Sequence, residues 1–410
     1  MLAQTYYDVV ARYGDSVNLL YFSLDEAIEL VGANLNAILN EYESLLGETY
    51  EAQNKPTIIL IDEVQADPNW AAVLKSLNDR SKRVFLACSG SSAVHIQASA
   101  DISGRRASVE KLYPLSFCEY EMLARDIYPS SNPSLKQAVK DALYSSTSAS
   151  EVYKNLKTLE VRVNQYWARA DKRHVRHYLA AGSLPFALAE RTLPDVYDAV
   201  LATVDKVVSR DIQELGKFDA DTVLAVKRLL FILAESDAIS NIKLSRVLGI
   251  SHITIATVLD ALVQAELLVR VMPQGSALNA SKKPSKFLFM SPTIRAAFFS
   301  VAGSQGTSMT REGRLLEDVA GLHLYREFAS KGAGSITYDS AEGGADFILK
   351  IGARRQIAIE VGRGDKTSRQ VVTTMQRVKC DYGLSVSDGP LQLLAQNTVV
   401  AVPLDYFLMM

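Results

Sequence analysis

The sequence predicts an α/β fold: a parallel sheet flanked by helices, then a mostly helical middle, then a second α/β part. In the first ninety residues, nearly continuous apolar strands alternate with helical segments, and this alternation is typical of a parallel sheet. The last hundred residues begin with a helix and continue as short apolar strands. A chain of 410 residues is too long for one hydrophobic core, so we expect two to four domains.

Composition excludes several classes of protein. The chain is 48% hydrophobic and 22% charged with a formal net charge of −2, so any basic surface for nucleic acid must be local. Cys88, Cys118 and Cys380 lie far apart and are odd in number, which predicts a reducing compartment without a disulfide framework. No apolar run approaches the roughly 20 residues of a membrane span, and the N-terminus lacks a signal-peptide pattern. We therefore expect a cytoplasmic protein.

The N-terminal elements follow in a regular order. Residues 1–13 predict a helix, a buried strand begins at Val17, residues 26–49 predict a helix, and an apolar strand runs from Lys55 to Gln65. The segment WAAVLKSLNDRS predicts the next helix and RVFLACSGSS the next strand. Strand, helix, strand, helix and strand in succession favour parallel pairing.

The rest of the chain is helical and then mixed. Residues 135–218 predict helices interrupted by a turn from Gly182 to Pro185, and 222–270 predict a run of short helices. A polar loop at 273–286 precedes the strand KFLFM, and the small polar residues 300–309 predict a linker. The helix RLLEDVAGLHLYREFA follows, with strands around ITYDS, ADFILKI and QIAIEVG. This last part is expected to be a separate α/β domain.

The strand IILIDEVQ ends on two carboxylates, Asp62 and Glu63. Ligands of parallel sheets bind at the carboxyl ends of the strands. Asp62 would hold Mg²⁺ through water and Glu63 would polarise an attacking water. The alternative is an ordinary strand that ends in a solvated acidic turn.

An arginine pair, Arg105 and Arg106, precedes the strand-like stretch YPLSFCEYE. An arginine at this place could act as a finger on the nucleotide of a neighbouring subunit. A solvated loop explains the pair equally well.

Several segments together resemble one family. IDEVQ, Trp70 with LKSLNDR, the strand ending in SGSS, GRRA and YPLSFCEYE look like the AAA+-superfamily ATPases of archaea and bacteria that carry a C-terminal nuclease-like domain. YLAAGSLPFAL, from Tyr178, resembles the Gly-x-x-Pro segment of that family's helical lid. KPSKFLFMSPTIRAAF, from Lys283, is similar to the segment that closes its winged-helix region.

The resemblance implies ATP and Mg²⁺ as cofactors, with Ser89 as the polar residue that senses the γ-phosphate. It also implies a partial P-loop (AAA+-like) parallel sheet, a helical lid, a winged helix-turn-helix and an α/β nuclease-like domain. The expected ranges of these four parts are, in order, 1–134, 135–218, 219–300 and 301–410.

One departure from the family is large. The phosphate-binding pattern GxxxxGK[ST] does not occur, and the Gly216–Lys217 pair is followed by Phe218. The opening residues resemble the helix that normally follows this loop. The chain is then a truncated or mis-started copy, or a remnant that no longer hydrolyses ATP. Because backbone N–H groups and the lysine supply most phosphate binding, we expect ATP binding to be weak or absent.

The segment KLSRVLGISHITIATVLDALVQAELLVRVMP predicts a helix-turn-helix, with Gly249 in the turn and Ser251 capping the second helix. The strand LLVRV, a basic loop with Lys282, Lys283 and Lys286, and the strand FLFM would form the wing. The residues predicted to contact DNA are His252, Thr254 and Thr257 on the second helix and Lys282 and Lys283 in the wing loop. The alternative is a winged helix that only packs between domains, since the exposed helix face has few basic residues.

The C-terminal strands carry a further acidic pattern. Asp346 and Glu360 lie on neighbouring strands and, with Glu317 from the preceding helix, could hold Mg²⁺. This resembles the PD-(D/E)xK nuclease core, but Gly362 stands at the lysine position. Arg363 or Lys366 could substitute. The lost lysine favours a decayed nuclease fold with negligible cleavage.

The sequence therefore predicts an AAA+ superfamily ATPase impaired in ATP binding, with DNA as a candidate partner. The alternative is a non-catalytic DNA- or protein-binding module on a degenerate ATPase and nuclease scaffold. Loss of the first strand would also expose an apolar flank of the sheet next to the strand IILID and favour self-association.

Overall fold

The computed structural model describes most of the chain. The described residues are 1–90, 108–190, 192–209, 218–236, 238–280, 282–301, 307–353, 355–364 and 368–410. They form two compact units, Met1–Lys111 and Leu112–Met410.

The first unit contains the predicted parallel sheet. Its described strands are β1 (Asn18–Ser23), β2 (Thr57–Asp62) and β3 (Val84–Cys88), which pair in parallel in the order β1-β2-β3. The described helices of this unit are α1 (Leu2–Tyr13), α2 (Leu24–Val31), α3 (Leu35–Leu46) and α4 (Trp70–Arg80). Strand β2 pairs with β1 on one side and with β3 on the other, so the exposed flank predicted next to the strand IILID is wrong for the described residues. Ile59, Leu60 and Ile61 are fully buried. The expected strand, helix and strand order of a parallel sheet is therefore confirmed for these residues.

The single helix predicted over 26–49 is wrong in one detail, because the structure has two helices there. Gly32 ends α2 in the left-handed region, with φ 66°. Asn34 then begins α3 by accepting a hydrogen bond from the Ala37 backbone N–H. A left-handed glycine followed by an Asn cap stops one helix and starts another, and the apolar periodicity alone does not show the break.

The second unit begins with helices. Its described helices are α5 (Phe117–Arg125), α6 (Leu135–Tyr144), α7 (Ala149–Trp167), α8 (Arg173–His177), α9 (Leu193–Val207), α10 (Ala220–Ala234), α11 (Asn241–Leu248), α12 (His252–Gln264), α13 (Ala277–Ala280), α14 (Pro292–Val301), α15 (Ser308–Leu324), α16 (Arg369–Val378) and α17 (Leu404–Phe407). The strand-like interpretation of YPLSFCEYE is wrong. Ser116 and Glu119 form a capping box that starts α5, so this segment is helical from Phe117 onward.

The strands of the second unit form one mixed sheet. Within the described residues they are β4 (Leu268–Pro273), β5 (Lys286–Phe289), β6 (Gly334–Tyr338), β7 (Phe347–Ile351), β8 (Arg355–Val361), β9 (Tyr382–Ser387), β10 (Gln392–Leu394) and β11 (Val399–Pro403). Their order is β10-β11-β9-β8-β7-β6-β4-β5. The antiparallel β4–β5 hairpin joins the C-terminal strands through parallel pairing of β4 with β6. The hairpin and the C-terminal strands therefore share one sheet.

Among the described residues, no single helix has the length and apolar character needed to cross a membrane. One bent pair, Asn241–Leu248 with His252–Gln264, meets that test by length and composition alone.

Candidate functional site

The acidic end of β2 lies beside the end of β3. The register pairs Ile61 with Cys88, which brings Asp62 next to Ser89. The Ser89 N–H donates to the Ile61 carbonyl oxygen at 2.9 Å, and the Val64 N–H donates to the Ser89 carbonyl oxygen at 3.0 Å. The Ser89 hydroxyl donates to Asp62 Oδ1. Two residues predicted to act together are thus joined by a direct hydrogen bond.

Glu63 follows in an unusual backbone conformation. Its φ is 50°, in the left-handed region that residues other than glycine rarely adopt. Such a conformation costs on the order of 1–3 kcal/mol and is often kept where function requires it. The Gln65 side-chain amide donates to Glu63 Oε2, which holds the carboxylate beside the strand end.

A third acid, Asp67, fixes the loop after β2 and was missed by the sequence reasoning. It is buried, and its carboxylate accepts hydrogen bonds from the Leu35 N–H at 3.0 Å and the Asn69 N–H at 2.8 Å. Asp67 therefore connects the loop after β2 to the first turn of α3. The signal was the Asp-x-Asn spacing after the acidic pair, which is typical of an Asx turn.

The donor set at this edge suits a hydrated magnesium ion. Mg²⁺ is usually bound by one or two carboxylates together with waters and substrate phosphates. Asp62 Oδ1 is held by Ser89 and by the Glu63 N–H at 3.1 Å, so the carboxylate has a fixed orientation. Arg105 and Arg106 lie outside the described residues, and their proposed role stays a prediction.

The residues predicted to contact DNA are mostly exposed. His252 and Thr257 on α12 are exposed, as are Lys282 and Lys283 in the loop between β4 and β5. Thr254 is half-buried, and its hydroxyl lies 2.8 Å from Ser251 Oγ at the start of the helix.

Two further observations qualify the predicted DNA surface. Lys283 Nζ donates to Ser340 Oγ at 2.8 Å, so this lysine contacts the loop after β6. Exposed apolar side chains also stand on α11 and α12, namely Ile242, Val247 and Ile253. Both the helix-turn-helix interpretation and the DNA contacts stay predictions.

The three predicted C-terminal acids lie around one lysine. Lys286, the first residue of β5, places Nζ 2.7 Å from Glu317 Oε2 and 3.1 Å from Asp346 Oδ1. Asp346 Oδ2 accepts from the Val361 N–H at 3.0 Å, and Glu360 Oε2 accepts from the Asp346 N–H at 3.3 Å. The structure therefore brings Glu317, Asp346 and Glu360 into one group and adds an ammonium to it.

Lys286 is a buried ion. Its side chain is almost fully enclosed, and Nζ stands 5.2 Å from the centre of the Phe347 ring. Burial alone lowers the pKa of this lysine, but the charges of Asp346 and Glu317 outweigh burial and hold the pKa above its usual value. Lys286 therefore carries a positive charge across the physiological pH range.

The ammonium of Lys286 does not lie where the sequence predicts a cation. The nuclease-like pattern predicts a lysine near Gly362, and the basic residues before FLFM are predicted to lie in an exposed wing. Of the two suggested substitutes, Arg363 pairs instead with Asp388 at 2.7 Å and Glu312 at 3.0 Å, and Lys366 lies outside the described residues. A usable signal was the position of Lys286 inside an otherwise apolar strand, where a charge needs a buried partner.

The C-terminal acids do not fit a metal site as the structure has them. Both oxygens of Asp346 are already bonded, one by the Lys286 ammonium and one by a backbone N–H. In the part of the chain that the structure describes, no group of three or more His, Cys, Asp or Glu side chains is arranged to hold a metal ion.

Comparison with known proteins agrees with the first unit. Residues 1–121 match the family described as AAA domain. The chain is 32% identical to the uncharacterized protein MJ1637 of Methanocaldococcus jannaschii over 395 residues, which cover 96% of this chain and 78% of the relative. No solved structure matches the chain significantly. The chain belongs to the same family as this archaeal protein, and its residues 1–121 are similar to the AAA domain.

Proposed function

We propose that this protein is an AAA-type ATPase-like module in which Asp62, Glu63 and Ser89 handle a magnesium-bound nucleotide. The observation that carries the proposal is the hydrogen bond from Ser89 to Asp62 across the ends of two neighbouring parallel strands. Parallel sheets bind ligands at this edge.

Each residue has a distinct part in this proposal. Asp62 would hold Mg²⁺ through water, which suits a carboxylate whose other bonds keep it in one orientation. Glu63 would polarise the attacking water, and Ser89 would contact the γ-phosphate. Mg²⁺, when bound with the nucleotide, neutralises the negative charge that develops on the phosphate oxygens.

The affinity for nucleotide should be low. The sequence contains no GxxxxGK[ST] pattern, and the backbone N–H groups and lysine of that loop supply most of the phosphate binding. For the chain as it stands we expect a dissociation constant for ATP of about 1 mM or weaker, which is roughly −4 kcal/mol.

Calorimetric titration with ATP, with and without Mg²⁺, tests the proposal. The Mg²⁺-dependent part of the binding should disappear in Asp62→Asn, and any hydrolysis should disappear in Glu63→Gln. The matched control is Asp15→Asn, which changes an exposed carboxylate before β1, away from the acidic edge. Micromolar binding that Asp62→Asn leaves unchanged would show that nucleotide binds elsewhere.

A second candidate is a non-catalytic binding module that contacts DNA. It is favoured by the exposure of His252 and Thr257 on α12 and of Lys282 and Lys283 in the hairpin loop. The exposed Ile253 beside them would suit a protein surface equally well.

Fluorescence anisotropy with a labelled duplex at several salt concentrations separates these cases. If both lysines contact phosphates, the double variant Lys282→Ala with Lys283→Ala should reduce the salt slope by about 2. Lys154→Ala with Lys157→Ala is the matched control, since it removes two exposed lysines from α7. An unchanged slope in the first variant would exclude phosphate contacts by these lysines.

A further inference from the structure

One buried ion connects three separate elements of the second unit. The ammonium of Lys286 comes from β5, whereas Glu317 lies on α15 and Asp346 lies immediately before β7. Only 5% of Lys286 is exposed. A charge this well buried has to be paired, and here it is paired twice.

The two carboxylate oxygens that face Lys286 belong to two of the three acids predicted to hold a metal ion, Glu317 and Asp346. A magnesium ion needs oxygen ligands at about 2.0–2.1 Å. Glu317 Oε2 and Asp346 Oδ1 are 2.7 and 3.1 Å from Lys286 Nζ, so a metal ion at this place would collide with the ammonium. Asp346 Oδ2 cannot replace Oδ1 without losing its hydrogen bond from the Val361 N–H.

The strand that carries Lys286 is bonded to its neighbours along the sheet. Strand β5 is antiparallel to β4 through four residue pairs, which include Lys286 with Val271. The hairpin is in turn tied to the C-terminal strands, because Met272 and Pro273 pair with β6 and the Gln274 N–H donates to the Tyr338 carbonyl oxygen at 2.8 Å. The backbone that carries Lys286 is therefore held beside the C-terminal strands.

We propose that the ammonium of Lys286 is the resident cation of this acidic group and keeps it closed to divalent metal ions. The lysine that the nuclease-like pattern lacks at Gly362 is thus replaced by one that fills the cation position. The group joins the hairpin to the C-terminal strands. This inference concerns the second unit and does not depend on nucleotide binding at Asp62.

Binding of Mn²⁺ by full-length variants tests the proposal. All variants carry Asp62→Asn, so that the acidic edge of the first unit does not contribute. The Asp62→Asn chain without further changes is the parent. Lys286→Met in this background should bind Mn²⁺ at least tenfold more tightly than the parent, as measured by calorimetry. Adding Asp346→Asn to Lys286→Met should return the affinity to that of the parent. Lys154→Met is the matched control, because this lysine on α7 is exposed, and it should leave the affinity unchanged.

A second measurement covers the case in which Lys286→Met does not fold. The parent and its Asp346→Asn variant should then show the same Mn²⁺ binding, because the proposal leaves no metal site at Asp346. Mn²⁺ binding by the parent that requires Asp346 would overturn the proposal. So would cleavage of plasmid DNA by the parent with Mn²⁺ that Lys286→Met abolishes, because the lysine would then act beside a metal ion.

Discussion

Replacing Arg295 with Met should destabilise the second unit more than any surface change. Arg295 is 2% exposed and forms two hydrogen bonds to the fully buried carboxylate of Asp318, at 2.6 and 2.8 Å. Its remaining guanidinium nitrogen donates to the Leu233 and Ala234 carbonyl oxygens at 3.3 and 2.9 Å. In Arg295→Met the carboxylate keeps the Phe289 N–H at 3.0 Å but loses its positive partner. Breaking a buried pair in this way costs about 3–5 kcal/mol.

The loss should depend on pH in a defined direction. Burial raises the pKa of Asp318, and the Arg295 guanidinium opposes that rise. Without the guanidinium the folded-state pKa rises further above that of the unfolded chain. A carboxyl whose pKa is higher in the folded state stabilises the fold at pH values below its pKa in the unfolded chain. This stabilisation is lost as the pH rises through its pKa in the folded state. Arg295→Met should therefore cost more at pH 8 than at pH 5.

Urea unfolding at both pH values measures this cost. Arg314→Met is the matched control, because Arg314 forms a partly exposed pair with Glu235 at 3.2 Å and should cost about 1 kcal/mol or less. Arg295→Met with Asp318→Leu removes both charges and should recover much of the stability. A cost for Arg295→Met no larger than that of the control, or the same at both pH values, would refute the reasoning.

Three further predictions test packing, titration and association. Gly321→Ala on α15 should cost about 1–3 kcal/mol, because its Cβ would lie 2.1 Å from Leu288 Cδ1. The Cβ of Gly313→Ala on the same helix would meet nothing within 4 Å, so this substitution should stabilise the protein by up to about 1 kcal/mol. Thermal unfolding measures both glycine variants. Burial lowers the pKa of His323 to about 3. Lowering the pH from about 7 to about 5 should therefore reduce the free energy of unfolding by about 2 kcal/mol through this residue, as measured by urea unfolding. His323→Phe should remove this part of the pH dependence. Phe85 on β3, an edge strand of the described sheet, is 61% exposed and should promote association of the protein. Phe85→Lys should therefore reduce association in sedimentation, and unchanged sedimentation would count against this prediction.

The acidic edge could be predicted because its signal is local. An apolar strand that ends in Asp62 and Glu63 fixes where the carboxylates lie, since parallel strands end at a common edge. The next apolar strand along the chain then brings Ser89 beside them. The αL conformation of Glu63 was not predictable, because the residue type disfavours it and only the surrounding structure imposes it.

The sequence could indicate that Lys286 needs a buried partner but could not identify its partners, because they are far away along the chain. Its carboxylate partners lie 31 and 60 positions further along the chain, and pattern reasoning treats each segment by itself. A lysine next to a polar loop looks like a solvated wing residue, which is the usual fate of lysine. The parallel pairing of β4 with β6, over two residue pairs, and the hydrogen bond from the Gln274 N–H to the Tyr338 carbonyl oxygen bring the hairpin against the C-terminal strands. A short contact of this kind leaves no periodic trace, yet it converts an apparent DNA-binding charge into an internal counterion.

The same contact changes how the missing nuclease lysine should be interpreted. Gly362 at the expected position suggests a site that has lost its ammonium. The structure shows an acidic group that has an ammonium but receives it from another strand, bonded to Glu317 and Asp346. A site that had merely decayed would leave its carboxylates to repel one another and turn toward water. Glu360 is instead buried, and its carboxylate accepts a backbone hydrogen bond from Asp346. The Lys286 ammonium thus faces two of the three acids, Glu317 and Asp346, and a backbone N–H donates to the third, Glu360. Each acid of the group therefore has a positively charged or N–H partner, which a site of mutually repelling carboxylates would lack.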